Sequence, residues 1–144
     1  MSEDITCFDC EYRYLSNFWL CKVVLDKVIY PSVENAYQAA KTLDLEERKK
    51  FEKCFPYEAK KFGRKVVMRP DWDDVKLDIM YDLVSQKFKN HYDVQTWLLR
   101  TGNANIIEGN YWKDTFWGVC GGVGENHLGK IIMRVRSEIR DSGI

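Results

Sequence analysis

Residues 31–41 carry chemically capable side chains at the spacing of one helical face. Glu34, Tyr37, Gln38 and Lys41 stand at positions i, i+3, i+4 and i+7, and residues so spaced share one face of a helix. Pro31 and Ser32 precede them as a helix start. A carboxylate, a phenol, an amide and an ammonium on one face can line a polar pocket or form a solvated surface, and spacing alone favours neither.

Glu34 is the strongest candidate for an acid or a base. It stands in the first turn of the predicted helix, where the positive end of the helix dipole favours an ionised carboxylate. An ionised carboxylate can act as a general base on water or stabilise a developing cation. A glutamate at this position is also a common helix-starting residue without any chemical role.

A glycine-rich segment, residues 121–130, precedes the last predicted helix. Gly124 and Gly129-Lys130 fit part of a phosphate-binding loop, but Ile131 replaces the serine or threonine that would hold Mg²⁺. The dinucleotide-binding fingerprint also fails, because His127 occupies its third glycine position. The segment can still present backbone N–H groups to an anion, or it can be a tight turn that needs positive φ.

Composition indicates one ordinary globular domain, residues 1–144. The chain is 45% hydrophobic and 31% charged, as globular domains are. Lys and Arg number 22, as do Asp and Glu, so net charge alone predicts no nucleic-acid partner, although a local basic patch is compatible with it.

The five cysteines and the absence of long apolar runs predict a cytoplasmic protein with free thiols and no membrane segment. Cys7 and Cys10 form a single C-x-x-C pair, and a structural zinc site would need a second pair. We therefore expect no metal and no cofactor. Oligomeric state is not indicated by the sequence.

The patterning predicts a mostly helical α+β domain with a few short N-terminal strands. Strands are predicted at residues 6–8, 17–21 and 22–30, with a turn at residues 25–27. Helices are predicted at residues 33–43, 44–54, 56–62, from Asp73 or Asp74 to 90, at 93–100 and at 128–141. Gly102 is predicted to end the fifth helix, and residues 103–130 are predicted to be loops.

These motifs, taken in order, resemble the NADAR (YbiA-like) family over roughly residues 8–136. The matching segments are Leu15-Ser-Asn-Phe18, Tyr30 to Lys41, Gly63-Arg64, Arg69-Pro-Asp-Trp72, Lys87-Phe88, Leu98 to Gly102, Asp114 to Gly118 and Gly124 to Gly129. One position departs from the pattern, since Asn35 stands where many members have His.

The resemblance implies a metal-independent hydrolase that cleaves an N-glycosidic bond at C1 of a ribose. Glu34, Lys41 and Asp114 are then the expected catalytic group, with Glu34 facing the developing oxocarbenium ion. The expected substrate-binding residues are Ser16, Asn17, Tyr37, Gln38, Arg64, Arg69, Trp72, Trp117, Gly118, Asn126 and Gly129.

Two substrate classes follow from the resemblance. The first is ADP-ribose attached to guanine bases, including bases presented on DNA or RNA, and this is the class we expect here. The alternative is a phosphorylated ribosylamino-pyrimidine of riboflavin synthesis. A protein that only binds ADP-ribose or a nucleotide is a further alternative, and it would not need Glu34.

Overall fold

The computed structural model describes residues 3–143 and confirms a mixed α+β fold that is about half helical. Contacts within the chain separate into two compact units. One comprises Asn17–Lys87, and the other comprises Met1–Ser16 together with Phe88–Ile144. The single-domain prediction for residues 1–144 stays a prediction.

The Asn17–Lys87 unit begins with an antiparallel hairpin of strands β1 (Leu20–Leu25) and β2 (Val28–Ser32). Its turn lies at Asp26 and Lys27, with φ of 48° and 70°, inside the predicted turn. Alternate residues of β1 are buried, as expected of a strand with one face on the core. The side-chain amide of Gln86 occupies the free edge of β1, because it bonds both the N–H and the carbonyl of Val24, at 2.7 and 2.8 Å.

Helix α1 (Val33–Ala40) follows β2 directly and is buried along its whole length. Ser32 caps it as predicted, since its hydroxyl accepts a hydrogen bond from the backbone N–H of Asn35 at 3.1 Å. The remaining helices of this unit are α2 (Leu45–Arg48), α3 (Pro56–Gly63) and α4 (Trp72–Asn90), the last of which continues into the other unit.

The unit formed by the two chain ends is built on α5 (Tyr92–Arg100) and α6 (His127–Asp141). Buried apolar side chains of this unit include Ile5, Leu98, Ile106, Ile132, Val135 and Ile139. Gly102 has a φ of 61° directly after the end of α5, which is the conformation expected of a glycine after a helix. A short parallel pair joins β3 (Gly109–Asn110) to β4 (Val119–Cys120).

Several predicted elements differ from the structure. Residues 6–8 form no strand; within residues 3–9, the one β-bridge joins Ile5 to Ile106. A 3-10 helix at Cys10–Leu15 and the β3–β4 pair were not predicted. These elements are short and depend on partners distant in the sequence, so the local pattern carried too little signal for them.

Helix boundaries also needed correction. The single helix predicted at residues 44–54 is α2 followed by a 3-10 turn at Lys49–Phe51. Helix α4 begins at Trp72 rather than after Asp73 or Asp74, because the carbonyl of Asp71 accepts the first helical hydrogen bonds from Asp74 and Val75. Among residues 3–143, no helix is both long and apolar enough to cross a bilayer.

Candidate active site

Glu34 lies in the first turn of α1 and is 7% exposed. Its backbone N–H donates to the carbonyl of Asn17 at 3.0 Å. Its carboxylate accepts a hydrogen bond from the Nε2 of Gln38 at 2.7 Å, one turn further along the helix. The helix N-terminus and the amide donor thus both present partial positive charge to the Glu34 side chain.

The Gln38 side chain is held between α1 and α3. A Cβ built on Gly63 would come within 1.8 Å of Gln38 Oε1, so only glycine allows α3 to approach this closely. Among the described residues, Oε1 has no hydrogen-bond partner, and the Gly63 backbone covers it. The amide is therefore oriented with its donor group toward Glu34.

Tyr37, Lys41 and Trp72 form the next part of the same face. The Tyr37 ring centroid is 5.2 Å from that of Trp72, and the Lys41 ammonium is 5.5 Å from the Tyr37 centroid. Trp72 is only 5% exposed, and its contact with the Tyr37 ring is enough to explain why it lies here. The role predicted for Trp72 in stacking on the substrate base stays a prediction.

Lys41 stands at the positively charged end of this face. Burial lowers the pKa of its ammonium, and the nearby Glu34 carboxylate opposes that change. Arg64, Lys60 and Lys76 lower the same pKa further through charge repulsion. A carboxylate at one end of the face and a group of cations at the other suit a substrate with an electron-poor C1 and an anionic group.

Arg64 and Arg69 differ in their interactions. Arg69 donates from Nε and Nη2 to the Asp71 carboxylate at 2.6 and 3.1 Å, and its backbone N–H donates to the Lys41 carbonyl at 2.7 Å. Arg69 thus ties the end of α1 to the start of α4. Arg64 ends α3 and acts on Lys41 through its charge, so it is the better supported phosphate-binding candidate.

Asn17 and Ser16 lie where the two units meet in the sequence. Asn17 is 9% exposed, and its Nδ2 donates to the Met80 sulfur at 3.5 Å. The backbone N–H of Ser16 donates to the backbone carbonyl of Arg13 at 3.0 Å. The contact of Asn17 with Glu34 was not predicted, because it passes through a backbone carbonyl.

Asp114 anchors a loop of the other unit. Its Oδ1 accepts hydrogen bonds from the backbone N–H groups of Phe116 and Trp117, at 3.2 and 2.9 Å, which is a local side-chain turn. Asn110 bonds both the N–H and the carbonyl of Asp114. This geometry favours a structural role, and the catalytic role of Asp114 stays a prediction.

The loop glycines and Asn126 make close backbone contacts. Asn126, with a φ of 54°, accepts from the Glu108 N–H at 2.9 Å and donates to the Ile106 carbonyl at 3.0 Å. A Cβ on Gly129 would lie 2.1 Å from that carbonyl, and one on Gly118 would lie 1.8 Å from Glu108 Oε2. Both residues are therefore required for packing, whatever else they do.

The Asn17–Lys87 unit thus groups eight of the predicted site residues, namely Asn17, Glu34, Tyr37, Gln38, Lys41, Arg64, Arg69 and Trp72. The other unit contains Ser16, Asp114, Trp117, Gly118, Asn126 and Gly129. Trp117 packs edge-on against Phe116, with centroids 4.8 Å apart.

Two features of the site were missed from the sequence. Lys76 belongs to the cation group around Lys41. It stands four residues after Trp72, and this spacing could have indicated that the two side chains share one face of a helix. Asn35 is fully buried and donates to the carbonyls of Phe51 and Cys54 at 2.9 and 2.8 Å. It holds the start of α1 in place.

A surface cleft of about 310 Å³ contains none of the predicted site residues in its lining, which consists of Thr42, Asp44, Glu47, Lys50, Phe62, Lys65, Val66 and Val67. Within residues 3–143, no group of three or more His, Cys, Asp or Glu side chains could hold a metal ion. The cysteines at positions 7, 10, 21, 54 and 120 are free thiols.

The chain is similar to a known protein family along nearly its whole length. Residues 7–140 match the model of the NADAR domain family. The chain is 38% identical to N-glycosidase Npun_R5314 of Nostoc punctiforme over 90% of this chain and 87% of that one. It is 31% identical to N-glycosidase YbiA of Escherichia coli over 90% of this chain and 82% of that one.

A longer relative and a relative of known structure also match this chain. Riboflavin biosynthesis protein VVA0006 of Vibrio vulnificus is 33% identical over 92% of this chain, but the match spans only 37% of that protein's length. The NMR structure of E. coli YbiA superposes with a TM-score of 0.86, at 29% identity, over 99% of this chain and 89% of that one.

Proposed function

Because the chain belongs to the NADAR family, we propose that it is an N-glycosidase that hydrolyses the bond between C1 of a ribose and a base nitrogen. The observation that carries this proposal is the α1 face, with the buried Glu34 carboxylate at its start and Lys41 two turns later. The names of its relatives support the same reaction class.

The chemistry follows from the placement of these two charges. When the C1–N bond breaks, its electron pair leaves with the base and positive charge develops on the ribose. Glu34 stabilises that charge and accepts a proton from the water whose oxygen bonds to C1. Gln38 holds the Glu34 carboxylate at 2.7 Å, and the proton that Glu34 accepted from water passes to the leaving nitrogen, which restores the carboxylate.

Lys41, with Arg64 nearby, binds the anionic part of the substrate. Point charges attract phosphate strongly where water is partly excluded, and burial at Lys41 is what lowers its pKa most. We assign the site to a phosphorylated ribosyl compound on this basis.

The leading candidate substrate is ADP-ribose attached to a guanine base. Several cations act on Lys41, which suits a diphosphate better than one phosphate. If so, ADP-ribose should inhibit competitively and at least tenfold more tightly than ribose 5-phosphate.

A ribosylamino-pyrimidine phosphate of riboflavin synthesis is the second candidate. The observation in its favour is that two relatives, from Vibrio vulnificus and Zea mays, are named riboflavin biosynthesis proteins. Equal inhibition by ADP-ribose and ribose 5-phosphate would support this candidate over the first.

Replacing Glu34 by Gln tests the reaction itself. The protein is incubated separately with ADP-ribosylated guanosine and with the pyrimidine substrate, and the released guanosine or pyrimidine base is measured by chromatography. Glu34→Gln should lower kcat at least a hundredfold, because removal of one such electrostatic group costs about that factor. ADP-ribose affinity, measured by calorimetry, should stay within threefold of wild type.

The exposed Glu46→Gln variant is the matched control, since Glu46 lies on the surface helix α2. Wild-type turnover in Glu34→Gln would remove Glu34 from the mechanism. If the wild-type protein binds ADP-ribose but cleaves neither substrate, it is a binding module instead.

A further inference from the structure

Two aromatic side chains project from the start of α3 into solvent. Phe55 is 62% exposed and Tyr57 is 55% exposed, yet their rings are stacked, with centroids 5.9 Å apart and planes 9° from parallel. Their backbone is fixed by Pro56 and by the hydrogen bond from the Phe55 N–H to Glu58 at 2.9 Å. An exposed aromatic pair held this firmly is available for stacking on another planar group.

Positive charge surrounds this pair. The Lys61 ammonium lies 5.8 Å from the Tyr57 ring centroid, which combines a cation with an aromatic surface. Residues 53–65 carry five cations, Lys53, Lys60, Lys61, Arg64 and Lys65, against the single carboxylate of Glu58. Since the whole chain has 22 residues of each sign, this segment is a local concentration of positive charge suited to a polyanion.

Helix α3 connects the aromatic pair with the candidate site. Lys60 and Arg64, one turn apart on α3, act on Lys41 through their charges, so this side of α3 borders the site. Tyr57 stands seven residues before Arg64 on the same side, a distance of about 10 Å along a helix. A ligand that reaches from the site along α3 would therefore meet the aromatic pair.

We propose that Phe55, Tyr57, Lys61 and Arg64, here called the α3 platform, bind the single-stranded nucleic acid next to the modified nucleotide. An unpaired base stacks on the aromatic pair, while Lys61 and Arg64 contact the phosphates. This inference rests on the proposed function, because it places the modified base on a DNA or RNA strand. A duplex would hide the base faces that such a platform needs.

Binding of an unmodified strand tests the platform separately from catalysis. Fluorescence anisotropy is measured with a labelled oligonucleotide of about 12 nucleotides, a length typical of single-strand sites. Removing both rings in Phe55→Ala/Tyr57→Ala should weaken binding at least tenfold, since stacking contributes about 1–3 kcal/mol per base. Both side chains are exposed, so folding should be retained.

Tyr92→Ala is the matched aromatic control, because Tyr92 is 83% exposed on the other unit. The platform is overturned if the double variant binds the oligonucleotide as tightly as Tyr92→Ala does. It is also overturned if wild type does not bind the oligonucleotide at all, as expected for a surface that recognises a protein instead.

The charged part of the platform is tested with Lys61→Gln. This variant should reduce the slope of log affinity against log salt by about 0.7, the value for one phosphate contact on a single strand. Lys27→Gln, which removes the same charge from the β1–β2 turn, should leave the slope unchanged. Equal slopes for the two variants would contradict the assignment of Lys61.

Turnover separates failure of the platform from failure of the proposed function. For ADP-ribosylated oligonucleotide, the double variant should lose at least tenfold in kcat/KM, while ADP-ribosylated guanosine is cleaved at the wild-type rate. Oligonucleotide binding that depends on the rings, without cleavage of either substrate, would support the platform and reject the proposed function. Loss of both substrates equally would overturn the platform.

Discussion

At the scale of single residues, the α1 face shows how one helix can present opposite charges to a ligand. Glu34 and Lys41 are two turns apart, and the Glu34 charge acts on the pKa of Lys41. Gln38 and Tyr37 fill the space between, each less than a tenth exposed. Asn35, on a different face, donates to the Phe51 and Cys54 carbonyls, so this residue serves packing.

Lys87 offers a prediction about stability and pH. It is 1% exposed on α4, and burial lowers the pKa of its ammonium to about 7, with the nearby Cys21 opposing that change. Between pH 7 and 10.5 the unfolded chain then binds one more proton at this site than the folded chain. The free energy of unfolding should therefore rise with pH in this range, by at most about 1.4 kcal/mol per unit.

Urea denaturation at several pH values measures this effect. Lys87→Met should be more stable than wild type near neutral pH and should lack the rise, because the buried charge is gone. Lys22→Met, which removes an exposed lysine of β1, should keep the rise. A wild-type stability that is flat between pH 7 and 10 would contradict the prediction.

At the scale of elements, the approach of α3 to α1 positions the Glu34 carboxylate. Gly63 leaves room for the Gln38 side chain, whose Oε1 would lie 1.8 Å from an added Cβ. The same approach brings Lys60 and Arg64 of α3 to Lys41. A glycine near the end of one helix thus sets both the hydrogen bond to Glu34 and the charge around Lys41.

Gly63→Ala tests this coupling. The added methyl group should push the Gln38 amide away from Glu34 and lower kcat at least tenfold, while costing about 1–3 kcal/mol of stability, as overpacking does. In a Gln38→Ala background, the same methyl group should have little further effect on either quantity, because the obstructing side chain is gone. Additive losses in the double variant would show that Gly63 acts by another route.

At the scale of the whole chain, residues far apart in sequence form one compact unit. The backbone N–H of Ile5 donates to the backbone carbonyl of Asn105, and the Ile5 carbonyl accepts from the backbone N–H of Ile107, both at 2.8 Å. The Ile5 side chain is 5% exposed. The segment around Ile5 is thus built into the unit that contains α5 and α6, while Asn17–Lys87 forms the other.

Ile5→Ala should accordingly destabilise the protein by about 2–5 kcal/mol, the usual cost of truncating a buried isoleucine. Chemical denaturation followed by circular dichroism measures this change. Ile29→Ala is the control, because Ile29 is 58% exposed on β2, and it should cost less than about 1 kcal/mol. Equal effects of the two substitutions would mean that the Ile5 segment adds no stability.

Much of the helical structure was predictable because its signals are local. Ser32 caps α1, Pro56 begins α3 and Gly102 follows α5, as residue type and spacing predicted. The Ile5 bridge and the β3–β4 pair were not predictable, since each depends on a partner that no local pattern indicates.

The sequence by itself determined the α1 face, because helical periodicity places Glu34, Gln38 and Lys41 on one side whatever surrounds them. Only the tertiary structure decided which neighbours act on that face. Asn17 holds the Glu34 backbone and Gly63 sets the Gln38 amide, while Lys76 adds charge beside Lys41. These contacts join segments distant in the chain, and their effect depends on burial and distance, which exist only once the chain has folded.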